Sequence, residues 1–161
     1  MLELLERQGH RPAAEFPTGA VLLAEGTKTG KLFVLASGEV EVARGAVVLA
    51  VVSEPGSAFG DMSALLDVAH TATVRARTPV SVYAFDDAKA FLRSDPEIAF
   101  FLARMLAQRL NSATTYLVDL KKQYAGAGNH LGMVSDVLAS LIFKDQPEFT
   151  PGSDRQPDPA M

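Results

Sequence analysis

Between Phe59 and Ala72 the chain reads FGDMSALLDVAHTA, and its residue types suit the capture of a small anion. Gly60 allows a backbone to approach a ligand closely. The N–H groups that open a short helix after it point at an anion and need no cation of their own. Asp61, directly after the glycine, can accept hydrogen bonds from ligand hydroxyls. A cation beyond the turn would complete the site, and arginine suits that task because its fork makes paired, charge-assisted bonds. The residue that arrives there is His70, which donates one hydrogen bond when neutral and adds a charge when protonated.

The rest of the chain sets bounds on that chemistry. Its 161 residues suit one domain, and 48% hydrophobic with 21% charged residues is an ordinary globular balance with enough apolar mass for one core. The net charge is −4, and Lys121-Lys122 is the sole adjacent basic pair, read as a solvated helix face. Direct nucleic-acid binding is not expected from that balance. Absence of cysteine excludes disulfides, thiolate zinc sites, iron–sulfur clusters and cysteine nucleophiles. No Ser/His/Asp order, metal-ligand spacing or paired-carboxylate motif stands out, so no catalytic residue, metal or cofactor is assigned and the chain is read as a non-enzyme. MLELLERQGH is acidic and short rather than a signal peptide, and no run reaches the ~20 apolar residues of a membrane helix, so a cytoplasmic location is expected.

The elements that position the cassette are mainly β. From Phe16 to Phe85 short apolar runs alternate with glycine turns: AVLLAEG, KLFVLASGEVEVARG, AVVLAVV and TATVRARTPVSVYAF, the last broken at Thr78-Pro79. Glu39-Val40-Glu41-Val42 alternates with period two, giving a wet face and a buried one. Such spacing predicts a sandwich or barrel. Then the period changes. Ser94 with Glu97 reads as a capping box with Pro96 in the first turn, opening a helix over about 95–124. Leu106, Leu110, Ala113, Leu117, Leu120 and Tyr124 on it step 4-3-4-3, a heptad seam that calls for a partner helix. Ile98, Phe101, Leu102 and Met105 give its first half a second apolar face, expected to lie on the β core. The seam is read as a homodimer contact, with packing on the chain's own C-terminal helix as the alternative. A second helical segment is expected within 125–145, and the proline-containing tail 146–161 is read as disordered.

With these parts in order, FGDMSALLDVAHTATVRA resembles the phosphate-binding cassette of cyclic nucleotide-binding domains. LLAEGTKTGKLFVLASG resembles the other signature of that family, in which glycines flank four apolar residues, here Leu32 to Leu35, before Gly38. The likeness extends over about residues 12–124 and points to the sensor domains of catabolite-activator (Crp-Fnr-like) regulators. It implies a domain over 1–124 made of a β-roll of the jelly-roll (double-stranded β-helix) kind and the long dimerisation helix of about 95–124, followed by a short C-terminal helix within 125–145. It also implies a ligand such as cAMP or cGMP, held by Phe59, Gly60, Asp61, Met62, Ser63, His70, Thr71 and Ala72, with Thr114 of the long helix reaching the base.

Two positions depart from the family pattern. Asp61 is one methylene shorter than the usual glutamate, and His70 stands at the arginine position. Losing one charge-assisted bond removes about 1.5–3 kcal/mol, roughly a ten- to hundred-fold loss in affinity. Three readings follow: weak cyclic-nucleotide binding that improves at low pH, binding of a different small anion or nucleotide, or a pocket without ligand in which His70 is structural. Arg75 lies on the following strand, expected to face solvent, and does not replace the missing arginine.

Only 37 residues follow Tyr124, too few for the helix-turn-helix of many bacterial relatives. The expected output is therefore a stand-alone regulatory sensor that signals through its dimer helix to an unidentified protein effector. The alternative is a ligand-free dimeric interaction or scaffold protein that keeps the roll. A metal-dependent jelly-roll enzyme is disfavoured because only one of three histidines lies near a strand.

Overall fold

A computed structural model describes residues 1–12, 14–123 and 137. The chain divides into two units, Met1–Ala103 and Arg104–Met161, so the boundary falls inside the long helix.

The first unit opens with α1 (Leu2–Arg7), whose Leu5 is fully buried. Eight strands follow: β1 (Ala14–Phe16), β2 (Val21–Leu23), β3 (Leu32–Ser37), β4 (Val40–Arg44), β5 (Val47–Val52), β6 (Ala58–Phe59), β7 (Thr73–Ala76) and β8 (Val80–Phe85). They form two antiparallel four-stranded sheets, ordered β1-β8-β3-β6 and β2-β7-β4-β5. Both sheets contribute to one core: Phe33, Leu35, Phe59, Val80 and Val82 from the first; Leu22, Leu23, Val40, Val74 and Ala76 from the second. This is the β-roll that the family resemblance implies, within the sandwich-or-barrel class that the strand spacing predicts.

Glycine is required where the roll turns hardest. Gly38 joins β3 to β4 at φ +93, and a Cβ there would lie 2.7 Å from the Val80 Cγ1 and against the Pro79 carbonyl oxygen. Gly60, also at φ +93, is constrained in the same way, because a Cβ would collide with the Lys31 carbonyl oxygen.

Two short helices, α2 (Asp61–Leu66) within the cassette and α3 (Ala88–Ser94), and the long helix α4 (Pro96–Gln123) accompany the strands. The capping box expected at Ser94 is not formed. Ser94 is the last residue of α3 and donates its hydroxyl proton to the Phe91 carbonyl at 2.6 Å; Asp95 Oδ1 instead accepts the Glu97 N–H at 2.7 Å. In the first unit the start of α4 buries Ile98 and is tied to α1 through Arg7–Glu97 and Gln8–Asp95. Leu102 is also buried and Phe101 half-buried, as the second apolar face required.

The apolar run Val47–Val52 differs from a buried strand. β5 is the edge of its sheet, and Val47, Val48, Leu49 and Val51 are exposed. In the second unit, Leu110 of the seam is exposed and Leu106, Leu117 and Leu120 are half-buried. Tyr124, the tail 146–161 and, apart from the helical Val137, the segment 125–145 lie outside the described residues.

Candidate functional site

Phe59 ends β6 inside the core, and the chain turns at once through left-handed Gly60 into α2. That turn fixes where the cassette begins, since no other residue type tolerates both the φ and the nearby Lys31 carbonyl. The first N–H groups of a helix have no partner within it, so the start of α2 presents donors. Met62 faces solvent, whereas Asp61 is only 4% exposed. Ser63 is buried and donates to the Val68 carbonyl at 2.6 Å, closing the segment after the helix. Asp67 ends α2 at φ 60 and bridges Lys28 at 3.1 Å and Lys89 at 2.9 Å. Those two ammonium groups hold its carboxyl below the usual range, the Lys89 bond being the stronger cause.

Asp61, Ser63 and His70 are the only buried polar or charged side chains among the described residues. Buried polarity costs free energy unless it is paired or serves a ligand, and here it is confined to one stretch of ten residues.

His70 is built into the preceding loop. Its N–H donates to the Thr27 carbonyl at 2.8 Å and its carbonyl accepts the Gly26 N–H at 2.9 Å. Its Nε2 lies 2.8 Å from Thr29 Oγ1. That hydroxyl also accepts the Lys31 N–H at 3.2 Å, leaving its own proton for an unprotonated Nε2. Burial pushes the imidazole pKa below its ordinary value of 6.5. The ring is therefore neutral at neutral pH, and protonation, the route by which His70 would replace an arginine charge, is disfavoured.

Thr71 and Ala72 are half-buried and lead into β7. The Thr71 carbonyl accepts the Arg44 Nε–H at 2.9 Å. Sequence reasoning missed both Arg44 and Thr29. Arg44 continues the period-two pattern of β4, but its place beside Thr71 follows only from the register Ala43↔Thr73. Arg75 is exposed, as expected. Thr114 is half-buried on α4 in the second unit, and its neighbour Thr115 spends its hydroxyl on the Asn111 carbonyl at 2.9 Å.

A depression of about 250 Å³ flanks α2, lined by Ser63, Ala64, Lys28, Gly30, Lys89 and three aspartates, Asp67, Asp86 and Asp87. Three carboxylates against two ammonium groups make a poor anion site, so this hollow is not the face a phosphate would use. Among the described residues no group of three or more His, Cys, Asp or Glu is placed to hold a metal ion, and no helix is long and apolar enough to cross a membrane.

Two antiparallel sheets sharing one core, a glycine-led helical cassette between β6 and β7, and a long helix after the roll in sequence are the parts of a β-roll domain. The family model for the cyclic nucleotide-binding domain matches residues 13–93, just over half of the chain, and the chain belongs to that family. The curated proteins contain no match.

Among solved structures, the chain is similar to the N-terminal domain of a transcriptional regulator from Streptomyces coelicolor A3(2). The two share 29% identity over 69% of this chain and 85% of that one, with a TM-score of 0.51. The Thermus thermophilus catabolite activator protein shares 26% identity over 80% of this chain and 76% of its own, with a TM-score of 0.56. A protein described under a cyclic-GMP-dependent signalling pathway that regulates bacterial phytopathogenesis shares 25% identity over 61% of this chain and 83% of its own, with a TM-score of 0.52.

Proposed function

We propose that this chain is a regulatory sensor that binds a cyclic nucleotide, cAMP or cGMP, or a closely related anion, through the cassette Phe59–Thr73. Buried polarity carries the reading: Asp61, Ser63 and His70 are all 5% exposed or less and all lie in the cassette. In this reading the N–H groups at the start of α2 hold the cyclic phosphate. Asp61 accepts from the ribose hydroxyl, and Ser63 keeps the loop closed.

Output runs through the long helix. Leu106, Leu110, Ala113, Leu117, Leu120 and Tyr124 form a seam between two copies. Ligand acts by shifting the population of helix arrangements, by no more than its difference in affinity for them. A protein effector then reads the altered dimer surface.

A thermal-shift series with cAMP, cGMP, 5′-AMP and 5′-GMP tests the proposal. Stabilisation by a cyclic nucleotide beyond that of the open mononucleotides supports it; no shift with any of the four at millimolar concentration removes it.

The Thr29–His70 bond favours one second reading. A neutral ring already satisfied by a neighbouring hydroxyl suits a structural histidine, as in a dimeric scaffold that binds no ligand. The same thermal-shift series separates the two.

A further inference from the structure

The cassette has no arginine of its own, yet the fold brings one to it from another strand. Arg44 is the last residue of β4, and β4 lies directly beside β7, with Val42 opposite Val74 and Ala43 opposite Thr73. One step beyond that pairing, the Arg44 Nε–H reaches the Thr71 carbonyl at 2.9 Å. Thr71 is the residue next to His70, so a guanidinium stands beside the segment that was expected to carry one.

Three further observations bear on what this guanidinium does. The first is direction. Val40 and Val42 belong to or pack against the core shared by the two sheets, and side chains on a strand alternate with period two. β4 stays in regular register with β7; the irregularity in its pairing with β5 falls where Leu49 has no partner opposite. By that alternation Arg44 falls on the same side of the sheet as Val40 and Val42, at the open end of the strand, where it is exposed. The second is free capacity. A guanidinium has five N–H donors, the Thr71 bond uses one, and among the described residues the Arg44 guanidinium makes no other hydrogen bond or ion pair. The third is the nearby carboxylate. Glu25 Oε2 accepts the Gly45 N–H at 2.7 Å, while the backbone N–H of Glu25 donates to Thr73 Oγ1 at 3.1 Å. Glu25 thus fixes the β4–β5 turn and the start of β7 together, and forms no ion pair with Arg44.

We infer that Arg44 supplies the cation of the binding site: its Nε–H anchors on Thr71, and its remaining donors are held ready for the anionic group of a ligand seated in the cassette. The inference rests on the cyclic-nucleotide reading of that site. It makes position 44 the charge-bearing position and position 70 a loop-fixing one, with the charge carried in from the adjacent strand. Because a guanidinium is always protonated at ordinary pH, the site keeps its cation although His70 is neutral.

Calorimetric titration with cAMP and cGMP tests this on four full-length proteins: wild type, Arg44→Gln, Arg44→Lys and Arg44→Gln/His70→Arg. Arg44 is exposed, and thermal unfolding of each variant checks that the fold is kept. Arg44→Gln is expected to weaken binding about ten- to hundred-fold, the loss of one charge-assisted contact. Arg44→Lys, a point charge without the fork, should fall between Gln and wild type. The double variant should recover most of the loss, because it puts a guanidinium back at position 70; an Arg44 that merely ties down Thr71 would not be rescued in this way. If wild type binds and Arg44→Gln binds within about two-fold of it, the Arg44 inference is overturned and the cyclic-nucleotide reading stands. If Arg44→Gln weakens but the double variant does not recover, Arg44 is structural and the inference is again overturned. If wild type binds neither nucleotide, the reading of the site fails and the role of Arg44 falls with it.

Discussion

Thr29 and His70 meet at 2.8 Å between Oγ1 and Nε2, across 41 positions of sequence. The bond ties the cassette to the β2–β3 connection and turns the one titratable ring of the cassette toward a hydroxyl. Together with the backbone bonds of His70 to Gly26 and Thr27, it makes position 70 part of the frame.

A pH dependence of stability follows from that frame. The imidazole pKa is below its ordinary value of 6.5 in the folded chain because burial disfavours the charged ring. Above pH 6.5 the ring is neutral in both states and its contribution to stability is fully present. As pH falls, the unfolded chain takes up the proton first, and that contribution is lost progressively down through the lowered folded value. His70→Gln keeps a hydrogen-bonding side chain without the titration. Between pH 7.5 and pH 5 the melting temperature of wild type should drop further than that of His70→Gln; parallel drops would contradict this account of His70.

Gly60 and Gly45 form a matched pair for the cassette turn. Both have positive φ, +93 and +55, but only Gly60 has a backbone oxygen where a Cβ would go. Strained left-handed backbone costs about 1–3 kcal/mol. Gly45→Ala is expected to lose an amount in that range, and Gly60→Ala more, since Lys31 must also move. Urea midpoints in the reverse order would show that the turn at Gly60 is not fixed as described.

Asp67 offers a conformational test more than an electrostatic one. Its carboxylate and both lysines are about half or more exposed, at 64%, 54% and 49%, and ion pairs screened by solvent in this way contribute little to stability. Asp67→Asn, which tolerates left-handed backbone, should leave stability nearly unchanged. Asp67→Val puts a β-branched residue at φ 60 and should cost more. Chemical denaturation of both variants measures the difference, and an equal loss would place the stabilisation in the lysine pairs instead.

The seam predicts assembly. Light scattering at tens of micromolar should report a dimer for wild type, and Leu110→Glu/Leu117→Glu should report a monomer that keeps the β-rich circular dichroism of the roll. A monomeric wild type would remove the dimer and require another output.

Much of the fold was readable because its signals are local. Leu32–Leu35 is a bounded apolar run, Thr78-Pro79 breaks a strand pair, and Gly60-Asp61 marks the cassette start. What was not readable depends on pairing. β5 reads only as a fully apolar strand, and such a run carries no record of whether a second neighbour covers it; only the sheet order shows that it is an edge. The short helix Ala88–Ser94 spans too few turns for a periodic signal, and its cap is Asp87, whose carboxylate accepts the Ala90 N–H. Ser94 looked like a cap because the spacing to Glu97 fits, but its hydroxyl already serves the helix before it. In the site, Gly60, Asp61, Ser63 and His70 were legible from order and type. Thr29 and Arg44 were not, since each reaches the cassette through tertiary placement.

The most direct test of the central claim is calorimetric titration of wild type and His70→Arg with cAMP and cGMP at pH 7.5. A working cassette predicts measurable binding by wild type and tighter binding by His70→Arg, about ten- to hundred-fold if the new guanidinium adds one charge-assisted contact. No heat of binding from either protein with either nucleotide at millimolar concentration would contradict a nucleotide sensor and leave the roll as a scaffold.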